Sequence, residues 1–163
     1  MTQIMIVDDS PTDMHLLKKI LEKNGFNTLT ASGADEGIQV AKRERPDLIL
    51  MDVVMPGLNG FQATRELSSD PETSAIPVII VTRKDQQVDR VWGIRQGARD
   101  YITKPVKQPE VHARVATHLC IQGLIAQQRE HLAALEQARG ELEALNDAKD
   151  KFLSNLGREV STA

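Results

Sequence analysis

The sequence predicts an α/β fold, a five-stranded doubly wound parallel sheet, with a long α-helical coiled-coil extension at its C-terminal end. Three observations predict it. Short apolar runs alternate five times with stretches of helical spacing, and repeated strand–helix units imply a parallel sheet with right-handed crossovers and helices on both faces. All seven prolines fall between Pro11 and Pro109; because proline punctuates element ends and breaks helix interiors, a globular domain over residues 1–118 is expected to give way to one unbroken helix over 119–163. From Ile121 onward the apolar spacing becomes three-and-four, the signature of a heptad seam.

The elements follow in order. Ile4–Val7 is a short apolar run ending in Asp8-Asp9-Ser10-Pro11, a strand entering a loop and a helix start. Met14, Leu17, Ile20 and Leu21 recur at helical spacing, and Asn24-Gly25 stops them. Phe26–Ala31 reads as the second strand. Ala34–Arg45 reads as a helix with Ile38 and Ala41 inward, closed by Pro46. The third strand, from Leu48, is wholly apolar until it ends at Asp52, and Pro56 and Gly57 soon follow. Gly60–Leu67 is a helix and Asp70-Pro71 a turn. Ile76–Val81 is the fourth strand, ending at Thr82; Asp85–Gln96 is a helix stopped by Gly97. Tyr101–Thr103 is the fifth strand, ending at Lys104-Pro105, and Pro109 suits the first position of the last helix.

Composition excludes several classes. A formal charge of −3 argues against the basic face of a nucleic-acid binder. A lone cysteine, Cys120, rules out an internal disulfide framework and suits a reducing compartment. No apolar run approaches the roughly 18 residues that span a bilayer, and no signal pattern opens the chain. A cytoplasmic protein without membrane or nucleic-acid partners is expected.

A parallel sheet gathers its strand ends on one edge, where open α/β sheets bind their ligands. Those ends carry Asp8 and Asp9, Asp52, Thr82 and Lys104. Three facing carboxylates repel one another and raise one another's pKa. Hard oxygens with room for water suit Mg²⁺. Asp52 is then expected to attack a phosphorus atom in line, with Mg²⁺ and Lys104 neutralising the phosphoryl oxygens. Thr82 is placed to bond a phosphoryl oxygen once the group is attached. Such a modification acts through new charge-assisted bonds that bias a two-state element.

With the Asp8-Asp9 pair, Asp52 followed by Met55-Pro56-Gly57 and Gly60, Thr82, and Lys104-Pro105, residues 1–118 resemble the receiver domains of two-component response regulators, CheY-like in fold. The resemblance implies strand order 2-1-3-4-5 and a histidine kinase as phosphodonor. It implies Asp52 as the acceptor, Asp9 as a direct Mg²⁺ ligand, Asp8 as one acting partly through water, and the Val54 carbonyl as the remaining protein ligand. It further implies Thr82 as the switch hydroxyl, Lys104 as the phosphate-pairing lysine, Tyr101 as the aromatic that turns inward on activation, and a cis Lys104–Pro105 bond. The stretches GLNGFQATREL and SAIPVIIVTRKDQQVDRVWGIRQGARDYITKPV resemble more narrowly the small PilH-type regulators of type IV pilus (twitching) systems, which implies a chemotaxis-type kinase. Val54 and Lys84 flank the path of attacking water. Since an apolar Val54 cannot orient that water, slow self-dephosphorylation is expected.

Two other readings compete with the switch. A haloacid-dehalogenase-like phosphatase also uses an aspartyl nucleophile with Thr and Lys, but puts it in an Asp-x-Asp pattern after the first strand. A constitutively dimeric structural receiver would not change on phosphorylation.

The tail seam runs Ile121, Leu124, Gln128, His131, Leu135, Ala138, Leu142, Leu145, Lys149, Phe152, Leu156. A projecting amphipathic helix must bury such a stripe against a partner, so a parallel two-stranded homodimer is expected, its register set by Gln128, His131 and Lys149. With five Lys/Arg and seven Asp/Glu from residue 119 onward, the tail has the wrong sign to neutralise phosphates. Its end, Ala148–Thr162, resembles the start of a histidine kinase dimerisation helix, with Arg158 where that family has its phosphorylatable histidine; a guanidinium cannot take that role. His15, His112, His118 and His131 read as solvated or packed helix residues, Cys120 as a small apolar side chain, and Trp92 with Val88 and Val91 as helix packing, with partner surface near Tyr101 as the alternative for Trp92.

Overall fold

A computed structural model describes residues 1–83 and 87–162, without the side chains of 87–90, 161 and 162. Five strands, β1 (Gln3–Val7), β2 (Asn27–Ala31), β3 (Leu48–Asp52), β4 (Val78–Arg83) and β5 (Asp100–Lys104), alternate with α1 (Pro11–Lys23), α2 (Ala34–Glu44), α3 (Gly60–Ser69), α4 (Gln87–Arg95) and α5 (Gln108–Thr162). The sheet is all-parallel in the order β2-β1-β3-β4-β5, as the resemblance implies. The chain divides into two compact units, Met1–Gln122 and Gly123–Ala163. No helix among the described residues is long and apolar enough to cross a membrane.

The central strands are apolar from Ile4 to Val7, Leu48 to Met51 and Val78 to Val81 because both faces of the sheet are covered there. Side chains alternate between the two. Met5, Val7, Ile49, Met51, Val78 and Ile80 join Ile38 and Ala41 of α2 and Ala63 and Leu67 of α3 in one core. Ile4, Ile6, Leu48, Leu50, Ile79 and Val81 join Leu17 and Leu21 of α1 and Val111 and Val115 of α5 in the other. Each such aliphatic side chain stabilises the fold by about 1.5–3 kcal/mol when fully buried. A one-residue slip of β3 would exchange the two cores, so its register, and the place of Asp52 at its end, is strongly specified.

Several element ends differ from the sequence expectation, each for a local reason. Phe26 stays outside β2 because its N–H donates to the Leu21 carbonyl, closing α1 over Gly25, whose φ is +86°; glycine tolerates that left-handed turn. Arg45 leaves α2 in the left-handed region at φ 47°, still donating its N–H to Ala41. Ile76 is held by Thr73 in the preceding turn, and Pro77 contributes only its carbonyl, to the Ile49 N–H at 2.9 Å; β4 therefore begins at Val78. Helix α3 runs on to Ser69, its start fixed by a reciprocal capping box between Asn59 and Gln62. Pro109 takes the second position of α5, after Gln108. Asp85, the expected start of the fourth helix, lies outside the described residues, as does Lys84.

Trp92 and Val91 of α4 are exposed, Trp92 by 50%, which corrects their reading as helix packing; the Val88 side chain lies outside the described residues. Cys120 is exposed.

Candidate functional site

The strand ends form an open cleft of about 270 Å³ lined by Asp9, Asp13, Asp52, Val54, Thr82 and Lys104 among others. Asp8 follows β1 and is 1% exposed; Asp52 ends β3 at 7%. Their burial follows from parallel pairing, which sets β1 and β3 side by side with Val7 opposite Met51. Asp8 accepts the Ser10 N–H at 2.9 Å, and Ser10 caps α1 by accepting the Asp13 N–H. The turn after β1 is thus shaped by its own polar side chains.

Behind Asp52 the chain must come close to itself. The Gly60 N–H donates to the Val53 carbonyl at 3.0 Å, and a Cβ on Gly60 would lie 2.0 Å from the Asp52 carbonyl oxygen. Only a residue without a side chain lets α3 start against the end of β3. The Lys104–Pro105 peptide is cis, and Lys104 reaches inward from the end of β5.

Lys104 is the electrostatic hub. Its Nζ lies 3.0 Å from Asp13 Oδ2, 3.1 Å from Asp52 Oδ1 and 3.3 Å from Asp8 Oδ2. Burial works against its charge, but these three acids together hold its proton more tightly than usual. For Asp52 the balance goes the other way. Burial and the neighbouring Asp8 push its carboxyl up to about 6, with Lys104 partly offsetting them. The group is still ionised at neutral pH, and more basic than an exposed carboxylate.

Asp8, Asp9 and Asp52 each bring one carboxylate oxygen within 4.8 Å of the others. A hard octahedral cation with bonds of about 2.1 Å places its ligand oxygens about 3–4 Å apart. Two oxygens bound directly and a third through water match that spread, so the triad fits a Mg²⁺ ion. Val54, the residue expected to lend a carbonyl, borders the same cleft with its side chain exposed.

Thr82, 2% exposed, stands one strand over from Asp52. Tyr101 is half-buried against the core that contains Ile80 and Ala98, and the Arg114 guanidinium lies 5.5 Å from its ring centroid. Arg114 also pairs with both oxygens of Asp100, at 2.9 and 3.1 Å, and His118 Nε2 lies 2.9 Å from Asp100. Burial opposes ionisation of Asp100, yet these partners and the Tyr101 N–H hold its carboxyl below the usual carboxylate range. His118 is therefore the packed partner of an acid 18 residues away. Sequence reasoning missed Asp13 and the Asp100–Arg114–His118 cluster. Asp13 had one available signal, its place in the first turn after the Asp8-Asp9 pair.

A parallel 2-1-3-4-5 sheet with acids, a buried hydroxyl and a lysine at its strand ends defines a class, and comparison identifies it. The response regulator receiver domain model matches residues 4–116; the chain belongs to that family, and the phosphatase alternative falls with this membership. Within it, the chain is 63% identical over 108 residues to Protein PilH of Pseudomonas aeruginosa, covering 66% of this chain and 89% of that protein. It is 39% identical over 113 residues to the alkaline phosphatase synthesis transcriptional regulatory protein PhoP of Bacillus subtilis, covering 69% of this chain but only 46% of PhoP. Among solved structures, the receiver domain of a signal transduction histidine kinase from Syntrophus aciditrophicus superposes with TM-score 0.69 at 38% identity, covering 74% of this chain and 91% of that one. A putative response regulator from Chloroflexus aurantiacus gives 0.72 at 28%, covering 73% and 98%.

Proposed function

We propose that residues 1–118 work as a phosphorylation switch in which Asp52 accepts a phosphoryl group from the phosphohistidine of a histidine kinase. One observation carries this reading: the buried Asp52 carboxylate touches Lys104 at 3.1 Å and shares a cleft with Asp9 and Thr82. A carboxylate oxygen of Asp52 attacks phosphorus in line. The O–P bond forms as the donor's N–P bond breaks, and the imidazole nitrogen keeps the electron pair and takes a proton. Lys104 neutralises charge on the phosphoryl oxygens. Asp9 directly, Asp8 partly through water, Asp52 and the Val54 carbonyl would hold Mg²⁺, which supplies further neutralising charge when bound. The only reactions catalysed are the chain's own phosphorylation and dephosphorylation.

Thr82 and Tyr101 then convert the modification into a changed binding face. Arg114 over the Tyr101 ring supports this role, because any turn of the ring alters a contact made to α5. The likeness to PilH supports a chemotaxis-type kinase donor in a type IV pilus system and a cytoplasmic setting. Residues 119–163 form the output helix and pair two chains through the heptad seam.

The test is intact-mass analysis after incubation with acetyl phosphate. One phosphoryl group per chain is expected, mapping to Asp52 and not taken up when Mg²⁺ is chelated beforehand; uptake at another residue, or turnover of the donor without labelling, overturns the reading. The Val54 side chain stands exposed at the cleft mouth with no polar atom to hold a water. Substituting Val54→Asn is expected to speed phosphate release about tenfold, the scale of one positioned hydrogen bond; equal release time courses would refute that role.

A further inference from the structure

The ammonium of Lys104 has three N–H donors, and three carboxylates stand around it. Asp8 and Asp52 belong to the strand-end cluster. Asp13 does not: it lies on the first turn of α1, 91 residues away along the chain, and makes the shortest of the three contacts at 3.0 Å. Its side chain is 42% exposed, on the open side of the cleft, where it also lines the cavity. Asp13 and Asp52 meet the same nitrogen, so their contacting oxygens are at most about 6 Å apart. A phosphoryl group attached to Asp52 is within reach of Lys104 without the lysine leaving Asp13. The phosphoryl group must therefore share its counter-cation with a permanent anion.

We propose that Asp13 is a positioning residue that restrains activation, tethering Lys104 and offsetting the charge it offers to a phosphoryl group on Asp52. This deepens the acceptor reading of Asp52 and rests on it. Asp13 acts in two ways, and their magnitudes decide the sign. As a tether it is partly redundant, because Asp8 holds the same ammonium from the buried side at 3.3 Å. As a charge it is the solvent-side member of the three acids around Lys104, and at saturating Mg²⁺ the other exposed acid of the cleft, Asp9, faces the cation. A unit charge about 6 Å away, discounted for solvent screening, changes anion affinity by about three- to tenfold. The charge effect wins, so removing it tightens the site.

The experiment titrates the full chain with beryllofluoride, a phosphoryl mimic, at saturating Mg²⁺, so that any weakening of metal binding does not register. Binding is read by calorimetry for wild type, Asp13→Asn and Asp13→Glu. Asn keeps an oxygen acceptor for Lys104 and loses the charge; it is expected to bind the mimic about three- to tenfold more tightly, a gain that shrinks as ionic strength rises. Glu keeps the charge and is expected to stay within twofold of wild type. A merely structural residue would shift melting temperature without this salt-dependent split between Asn and Glu. Unchanged or weaker binding by Asp13→Asn overturns the proposal while leaving Asp52 as acceptor. Wild-type protein that binds no beryllofluoride overturns the acceptor reading and this proposal together.

Discussion

Asp52→Asn protein, stripped of divalent metal, is expected to melt about 4–10 °C above wild type at pH 8 while taking up no phosphoryl group from acetyl phosphate. The carboxyl is pushed from its ordinary 3.8 to about 6 by burial and by Asp8. Between those values the folded chain holds more protons than the unfolded one. Stability therefore falls as pH rises through that window, and the loss levels off about one unit above pH 6. Two units of difference correspond to at most about 3 kcal/mol, or several degrees for a domain of this size. Asparagine removes the charge and keeps the shape, and Lys104 retains Asp8 and Asp13 as partners. The advantage should shrink towards pH 4, where the wild-type carboxyl is protonated. It should shrink also on adding Mg²⁺, which binds and stabilises the folded wild type. Thermal melts at pH 4, 6 and 8, with and without chelator, measure all of this. An asparagine variant that melts lower than wild type in chelator at pH 8 would contradict the electrostatics described for the site. The same device then has a functional reading: the strain of a buried acid is relieved when cation or phosphoryl group arrives, which couples binding to the state of the domain.

The second large effect concerns the tail. Leu142 and Leu145 are each 69% exposed in the single chain, and both lie on the heptad seam. In a paired tail they are buried, at about 1.5–3 kcal/mol per side chain. Replacing both by glutamine keeps helix propensity and removes the apolar contact. The variant is expected to dissociate at least a hundredfold more readily, giving monomer mass by sedimentation at concentrations where wild type is dimeric. The parallel arrangement is favoured by the flanking charges. An antiparallel pair centred on Gly140 sets Arg139 against Arg139 and Glu141 against Glu141 of the second copy, whereas a parallel pair in register brings no like charges together on the flanks. Wild-type protein that stays monomeric at tens of micromolar would remove the dimer from the account.

Most of the fold was legible in the sequence, because the three central strands carry short apolar runs and glycines, prolines and capping residues punctuate the elements. Ends moved where a backbone group had a better partner, as Phe26 did with Leu21 and Pro77 with Ile49. The strand-end residues could be grouped without coordinates, since a parallel sheet brings all its carboxyl ends to one edge. Surface status was less legible. Trp92 and Val91 looked like core and are exposed, because helical spacing marks an apolar face without saying whether anything covers it.

What the sequence by itself determined is the periodicity: five strand–helix repeats, a heptad tail, and Asp8, Asp9, Asp52, Thr82 and Lys104 at the strand ends. What only the tertiary structure decided is which charges share a partner. Asp13 sits on a helix and Lys104 on a strand end 91 residues later, and nothing in the local pattern of either links them. His118 and Asp100 meet the same way, across the β5–α5 turn. The physical reason is range. Secondary structure is written in neighbouring residues, whereas an ion pair forms wherever packing brings two side chains within hydrogen-bond distance, and that is a property of the whole sheet.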